Sequence, residues 1–187
     1  MKILLISLFA ICAFAGRICL PKGWVFEWTI FRENEIGFKL TLDEYTWMHY
    51  GWVGIGLKQS SEAVGMINSD IANLIFNGDK TDRFAYTNGL PALDTDLGGT
   101  EDLLSPTESE EEGLHVFSWT KKLDTGDEYD TIYVEGESYN LLWACGDMAD
   151  GVQLKHFTVD RDRTIITLSQ DYESGCTETY ASFIQIN

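Results

Sequence analysis

The side chains able to do chemistry in this sequence are thiols, imidazoles, carboxylates, one loop thioether and a group of aromatics. Cys12, Cys19, Cys145 and Cys176 show no Cys-x-x-Cys and no Cys/His zinc spacing, so thiolate metal binding is not expected. In an oxidising compartment Cys19, Cys145 and Cys176 form at most one internal bridge and leave one thiol over. Both Cys145–Cys176 and Cys19–Cys176 are open, and the leftover thiol is available to join a second chain. Asp70 and Asp94 offer the oxygens that a hard cation such as Ca²⁺ takes, but such an ion wants about six to eight, so two do not make a site. Tyr45, Trp47 and Tyr50 cluster in one irregular segment and would serve a sugar ring as a stacking platform if exposed. His49 and His115 have no matching partners and read as surface or hydrogen-bonded histidines. There is no Gly-x-Ser-x-Gly elbow, no His-Glu-x-x-His and no nucleotide-binding glycine loop, so catalysis is not expected.

The elements that must position these groups are strands. Trp24 to Phe31 alternates with Trp24, Phe26, Trp28 and Ile30 on one face, and Ile36 to Leu42 repeats the pattern. The polar turn between them predicts a hairpin. Gly51-Trp52-Val53-Gly54-Ile55-Gly56-Leu57 reads as a closely packed strand, followed by a loop over 58–69 that carries Met66. Further strands are expected at Asp70 to Phe76, Arg83 to Thr87, Leu114 to Lys121 and Tyr139 to Cys145. Others are expected at Val152 to Val159, Thr164 to Leu168 and Thr177 to Ile186. Asn88 to Gly113 reads as irregular, its Glu-rich second half as a mobile solvated loop. No apolar period of 3.6 residues persists, so the fold class is all-β, an antiparallel sandwich of about ten or eleven strands.

Composition bounds the partners. The net charge of −17, from 30 acidic against 13 basic residues, argues against nucleic acid and against adsorption to anionic membranes. Met1-Lys2, the apolar run Ile3 to Phe14 and Ala13-Phe14-Ala15 read as a signal peptide over 1–15, cleaved after Ala15. That run is too short to span a bilayer, so the expectation is a secreted or luminal single domain over 16–187 with no membrane span.

Four blocks in order are similar to DOMON domains. They are Gly51-Trp52-Val53-Gly54-Ile55-Gly56 with Met66-x-x-x-Asp70-Ile71, then Asp94 with Glu101-Asp102-Leu103-Leu104. Leu114 to Lys122 followed by Leu123-Asp124-Thr125-Gly126-Asp127-Glu128-Tyr129-Asp130 is the third, and Leu141-Leu142-Trp143-Ala144-Cys145-Gly146 with His156 the fourth. The resemblance spans roughly residues 24 to 170 and departs from the family pattern at Asn68-Ser69 and Phe157. It implies an Ig-like sandwich outside the cytosol that binds b-type haem or sugars. Met66 and His156 stand where haem-binding members carry their iron ligands. Imidazole plus thioether saturates the iron, which suits electron transfer rather than oxygen chemistry. The expected function is therefore a non-catalytic haem-binding module. A carbohydrate-binding module is one alternative. An extracellular structural or assembly protein, homo-oligomeric or disulfide-linked to a protein partner, is the other.

Overall fold

A computed structural model of the chain describes residues 16–32 and 34–176. The expected signal peptide 1–15 and the expected strand Thr177 to Ile186 lie outside the described residues. In chain order the strands are β1 (Gly16–Leu20), β2 (Trp24–Phe31), β3 (Glu35–Leu42), β4 (Trp52–Gln59), β5 (Asp70–Ile75), β6 (Lys80–Phe84) and β7 (Ala92–Leu93). They continue as β8 (Leu104–Glu111), β9 (Leu114–Lys122), β10 (Ser138–Gly146), β11 (Met148–Ala149), β12 (Val152–Gln153), β13 (Arg161–Thr167) and β14 (Glu173–Ser174). Two short helices, α1 (Glu44–His49) and α2 (Asp94–Leu97), interrupt them.

Two six-stranded sheets form a sandwich, one in the order β14-β1-β2-β3-β9-β8, the other β13-β10-β4-β5-β6-β7. Strands beyond the expected ten or eleven come from two-residue pieces such as β7 and β14, too short to leave an alternating pattern. Period-two alternation on both hairpin strands puts Trp24, Phe26 and Trp28 of β2 and Ile36, Phe38 and Leu40 of β3 into the core. Val53, Ile55 and Leu57 of β4 and Leu141 and Trp143 of β10 meet them from the other sheet. The Trp24 and Trp143 rings cross at 5.1 Å, edge to face. Burying an aromatic or aliphatic side chain of this size contributes about 1.5–3 kcal/mol. Among the described residues no helix is long and apolar enough to cross a membrane.

Three expectations need correction. Thr41 to Tyr50 contains α1, begun by Asp43, whose carboxylate accepts from the Thr46 N–H at 3.0 Å. The Glu-rich second half of Asn88 to Gly113 is not a loop but strand β8, paired along β9 from Leu104↔Thr120 to Glu111↔Leu114. Its backbone bonds hold it as an edge strand; Glu108 is paired with Lys80 and His115, while Glu110 faces water. Val152 to Val159 is not one long strand: only Val152–Gln153 pairs, with β11, and a loop and a 3₁₀ turn at Thr158–Asp160 follow.

Candidate functional site

Strand β4 sends alternate side chains to opposite faces. Val53, Ile55 and Leu57 enter the core, so Trp52, Gly54, Gly56 and Lys58 line the outer face over roughly 20 Å. Two loops fold onto that face from opposite ends. At the β4–β5 end, the Lys58 ammonium donates to the carbonyls of Ala63 and Ile67, both at 2.7 Å, which draws the Met66 loop over the sheet. Asn68 takes a left-handed φ of 65° where the loop turns into β5, and Met66 is half-buried. At the other end, the Trp52 indole donates to the Leu154 carbonyl at 3.0 Å, and Gln153 donates to Asn73 Oδ1 at 3.0 Å. A Cβ on Gly146 would come within 2.8 Å of the Trp52 ring, so glycine there lets the indole lie flat against β10.

His156 belongs to this second loop, its ring centre 6.4 Å from that of Trp52. The loop is tied down beyond it by Asp160, which accepts from Lys22 at 2.9 Å and from the Tyr50 hydroxyl at 2.8 Å. His156 Nδ1 lies 3.1 Å from the Phe157 carbonyl. That carbonyl can only accept, so Nδ1 carries the proton and Nε2 keeps its lone pair. Burial lowers the His156 pKa and the charges of Arg161 and Lys155 lower it further, so the imidazole is neutral at pH 7. Between the two loops Gly54 is buried: a Cβ there would lie 3.6 Å from the Trp52 ring and 3.8 Å from the Ile71 side chain. Val64 and Ile67 on one loop, Leu154, Phe157 and Val159 on the other, and Ile165 on β13 are exposed. Met66 and His156 thus lie on two different loops that fold onto the outer face of β4.

The aromatic trio does not form one platform. Tyr45 is exposed and stacked on His49 at 4.0 Å. Trp47, two residues on and so turned to another side of α1, lies against His115 at 5.8 Å. Tyr50 spends its hydroxyl on Asp160. His115 is hydrogen-bonded to Glu108 at 2.8 Å, in keeping with a satisfied histidine. The cysteines resolve as Cys19–Cys176. Cys145 is the free one, fully buried on the core face of β10, and burial pushes its thiol up to about 12. It therefore cannot link two chains, contrary to the expectation of a disulfide-joined assembly through a leftover thiol.

The residue absent from the sequence reading is Lys121. It follows Phe117 and Trp119 at alternate positions of β9, so it points into the core and is 2 % exposed. Its ammonium meets Asp70 at 2.9 Å, Asp82 at 2.9 Å, and Asp130. Asp70 also accepts from the Tyr133 hydroxyl at 3.0 Å and the Thr131 N–H at 3.2 Å. The cation at Asp70 is thus a lysine of the chain itself. Burial, followed by the charge of Asp70, pushes Asp82 up to about 9 against Lys121. The folded chain therefore favours the protonated carboxyl. The stability this gives is complete below the unfolded value of 3.8 and fades as pH rises toward about 9. In metal-free buffer the melting temperature is expected to fall steadily from pH 6 to pH 9, less so in Asp82→Asn. A melting temperature flat across that range would contradict this account.

The comparisons agree with the fold. The DOMON domain family profile matches residues 22–146. The fold is similar to the crystal structure of the cytochrome b domain of pyranose dehydrogenase from Coprinopsis cinerea, with a TM-score of 0.57 and 13% identity. That likeness covers 90% of this chain and 87% of the other. A comparison with curated proteins finds no match. With two thirds of its length matched by the family profile and a sandwich that places the family's blocks in order, the chain belongs to the DOMON domain family.

Proposed function

We propose that this domain is a non-catalytic extracellular module that binds b-type haem through Met66 and His156 and passes single electrons. The observation that carries the reading is the outer face of β4. Over it fold two loops, one carrying the thioether of Met66 and the other the imidazole of His156, with exposed apolar side chains on both. The neutral His156, with Nδ1 spent on the Phe157 carbonyl, has Nε2 in the state that a metal requires. The donor types present, a thioether and a neutral imidazole, therefore suit the group. Haem held by thioether and imidazole exchanges one electron with no coordination position left for oxygen. The likeness to a cytochrome b domain supports the same reading through its fold.

The rest is work for the chain. Lys58 and Trp52 hold the two loops against the sheet, and Lys22, Tyr50 and Asp160 fix the far side of the His156 loop. Purified protein mixed with haemin is expected to show the absorption spectrum of six-coordinate haem and a reduced-minus-oxidised difference of the same type. Met66→Ala and His156→Ala are each expected to abolish the six-coordinate spectrum while leaving the circular dichroism unchanged. Protein that stays colourless after loading would sink the proposal.

A further inference from the structure

The outer face of the sheet that contains β4 carries charge of one sign. In β13, Ile166 enters the core, so Arg161, Arg163 and Ile165 take the outward positions. Register places Arg161 in one row with Ala144 and Gly54, and Arg163 in the next row with Leu142 and Gly56. Farther across the same face, Lys58 stands on β4 and Arg83 on β6. No outward position of β13, β10, β4, β5 or β6 holds a carboxylate, although the chain has 30 acidic residues against 13 basic. Asp70 and Asp82, on β5 and β6, point the other way, to Lys121, and Asp94 at the start of α2 is buried as well.

Two of these cations have partners. Lys58 donates to the loop carbonyls of Ala63 and Ile67, and Arg83 donates to Thr81 Oγ1 at 2.9 Å and to the Pro91 carbonyl at 2.8 Å. Arg161 and Arg163 are exposed, and among the described residues neither guanidinium has an ion pair or a hydrogen bond. Elsewhere in this acidic chain cations are drawn to carboxylates, as Lys22 is to Asp160 and Lys80 to Glu108. Two unpaired guanidiniums on a face without carboxylates suit an anion brought from outside.

Their spacing narrows the class of anion. Outward positions two residues apart on a strand lie about 7 Å from each other, and β13 runs about 10 Å from β4, two strand spacings away. Each planar guanidinium fork matches the two oxygens of one carboxylate. A ligand lying over β4 with two carboxylates on its β13 side therefore meets both. Haem b has this form: its ring is apolar except for two propionate carboxylates, which leave from one edge.

We propose, on the footing of the haem reading above, that Arg161 and Arg163 each take one propionate, so that the acidic edge of the ring faces β13 and the apolar edge faces β5. Both are positioning residues, because neither touches the iron. They fix which way round the ring enters. Axial ligation by a thioether and an imidazole leaves that open, since it is unchanged when the ring turns about the axis through the iron.

The test uses the full chain, titrated with haemin and with haemin dimethyl ester, in which both carboxylates are capped, and followed by absorbance. The unaltered protein is expected to bind haemin at least about tenfold more tightly than the ester. In Arg161→Gln/Arg163→Gln that preference is expected to vanish, with the ester bound as before and the six-coordinate spectrum retained. Arg161→Lys/Arg163→Lys, which restores the charge without the forks, should recover part of it. Equal affinity of the unaltered protein for haemin and ester overturns the proposal and leaves the haem reading standing. So does a preference that survives in the glutamine variant. Binding of neither porphyrin overturns both. If the glutamine variant does not fold, the ester comparison, which needs no variant, decides alone.

Discussion

Lys121→Met is expected to destabilise the domain by about 3–5 kcal/mol, the usual cost of removing one partner from a buried ion pair. The methionine fills much the same volume, so lost packing contributes little. What remains is Asp70, Asp82 and Asp130 facing one another without the ammonium that all three share. In a domain of this size a loss of that order lowers the melting temperature by roughly 10 °C. The loss should be smaller at acid pH, where the orphaned carboxylates take up protons, and larger toward pH 9. Asp82→Asn and Asp130→Asn added to Lys121→Met should recover much of the stability, because Asp70 is then the one carboxylate left in the cage and still accepts from the Tyr133 hydroxyl and the Thr131 N–H. Thermal and urea melts of the single and triple variants measure this directly. A Lys121→Met protein as stable as the parent would mean that the cage is not a net support of the fold.

Removing the Cys19–Cys176 bridge ranks second. The bridge spans a sequence separation of 157 residues, and chain-entropy arguments assign a loop of that length about 5 kcal/mol, with measured effects more often about 2–5. The bond joins the last residues of β1 to the segment just after β14, where the sheet holds a parallel pair, Arg17↔Glu173 and Ile18↔Ser174. Two ladder positions cannot keep that edge closed alone, so the covalent tie replaces the length the strand lacks. The double variant Cys19→Ser/Cys176→Ser is expected to melt several degrees lower than the parent. Its fastest amide exchange should spread along β1 and β14. A double variant with the parent's melting temperature would show that the bridge closes an edge already closed.

Much of this architecture was legible in the chain because one face of each main strand is buried. Trp24, Phe26 and Trp28, or Ile36, Phe38 and Leu40, are spaced by two because the core demands it. Strand β8 escaped notice for the opposite reason: at a sheet edge its backbone does the pairing, while Glu108, Glu110 and Glu111 carry no apolar rhythm. Val152 to Val159 misled in the other direction, since its apolar side chains are exposed on a loop instead of alternating into a core. Asp70 and Asp94 were visible as carboxylates in recognisable blocks, but their environments were not. Lys121 lies 51 residues from Asp70, and nothing local announces that pairing. One clue was present: after Phe117 and Trp119, the next inward position of β9 is a lysine. A cation on the apolar face of a strand calls for a buried acid, and the spacing of these three residues is enough to raise that expectation.

The edges of the two sheets have a further consequence. Among the described residues the sandwich has four outermost strands, β14 and β8 on one sheet and β13 and β7 on the other. Two of these are only two residues long, β8 is crowded with glutamates, and β13 opens with Arg161-Asp162-Arg163. None offers the long, uncharged ladder that a strand from another copy would need to add itself. The acidic stretch that resembles idle solvated sequence thus acts as a guard rail, keeping concentrated protein from zipping edge to edge into fibrils.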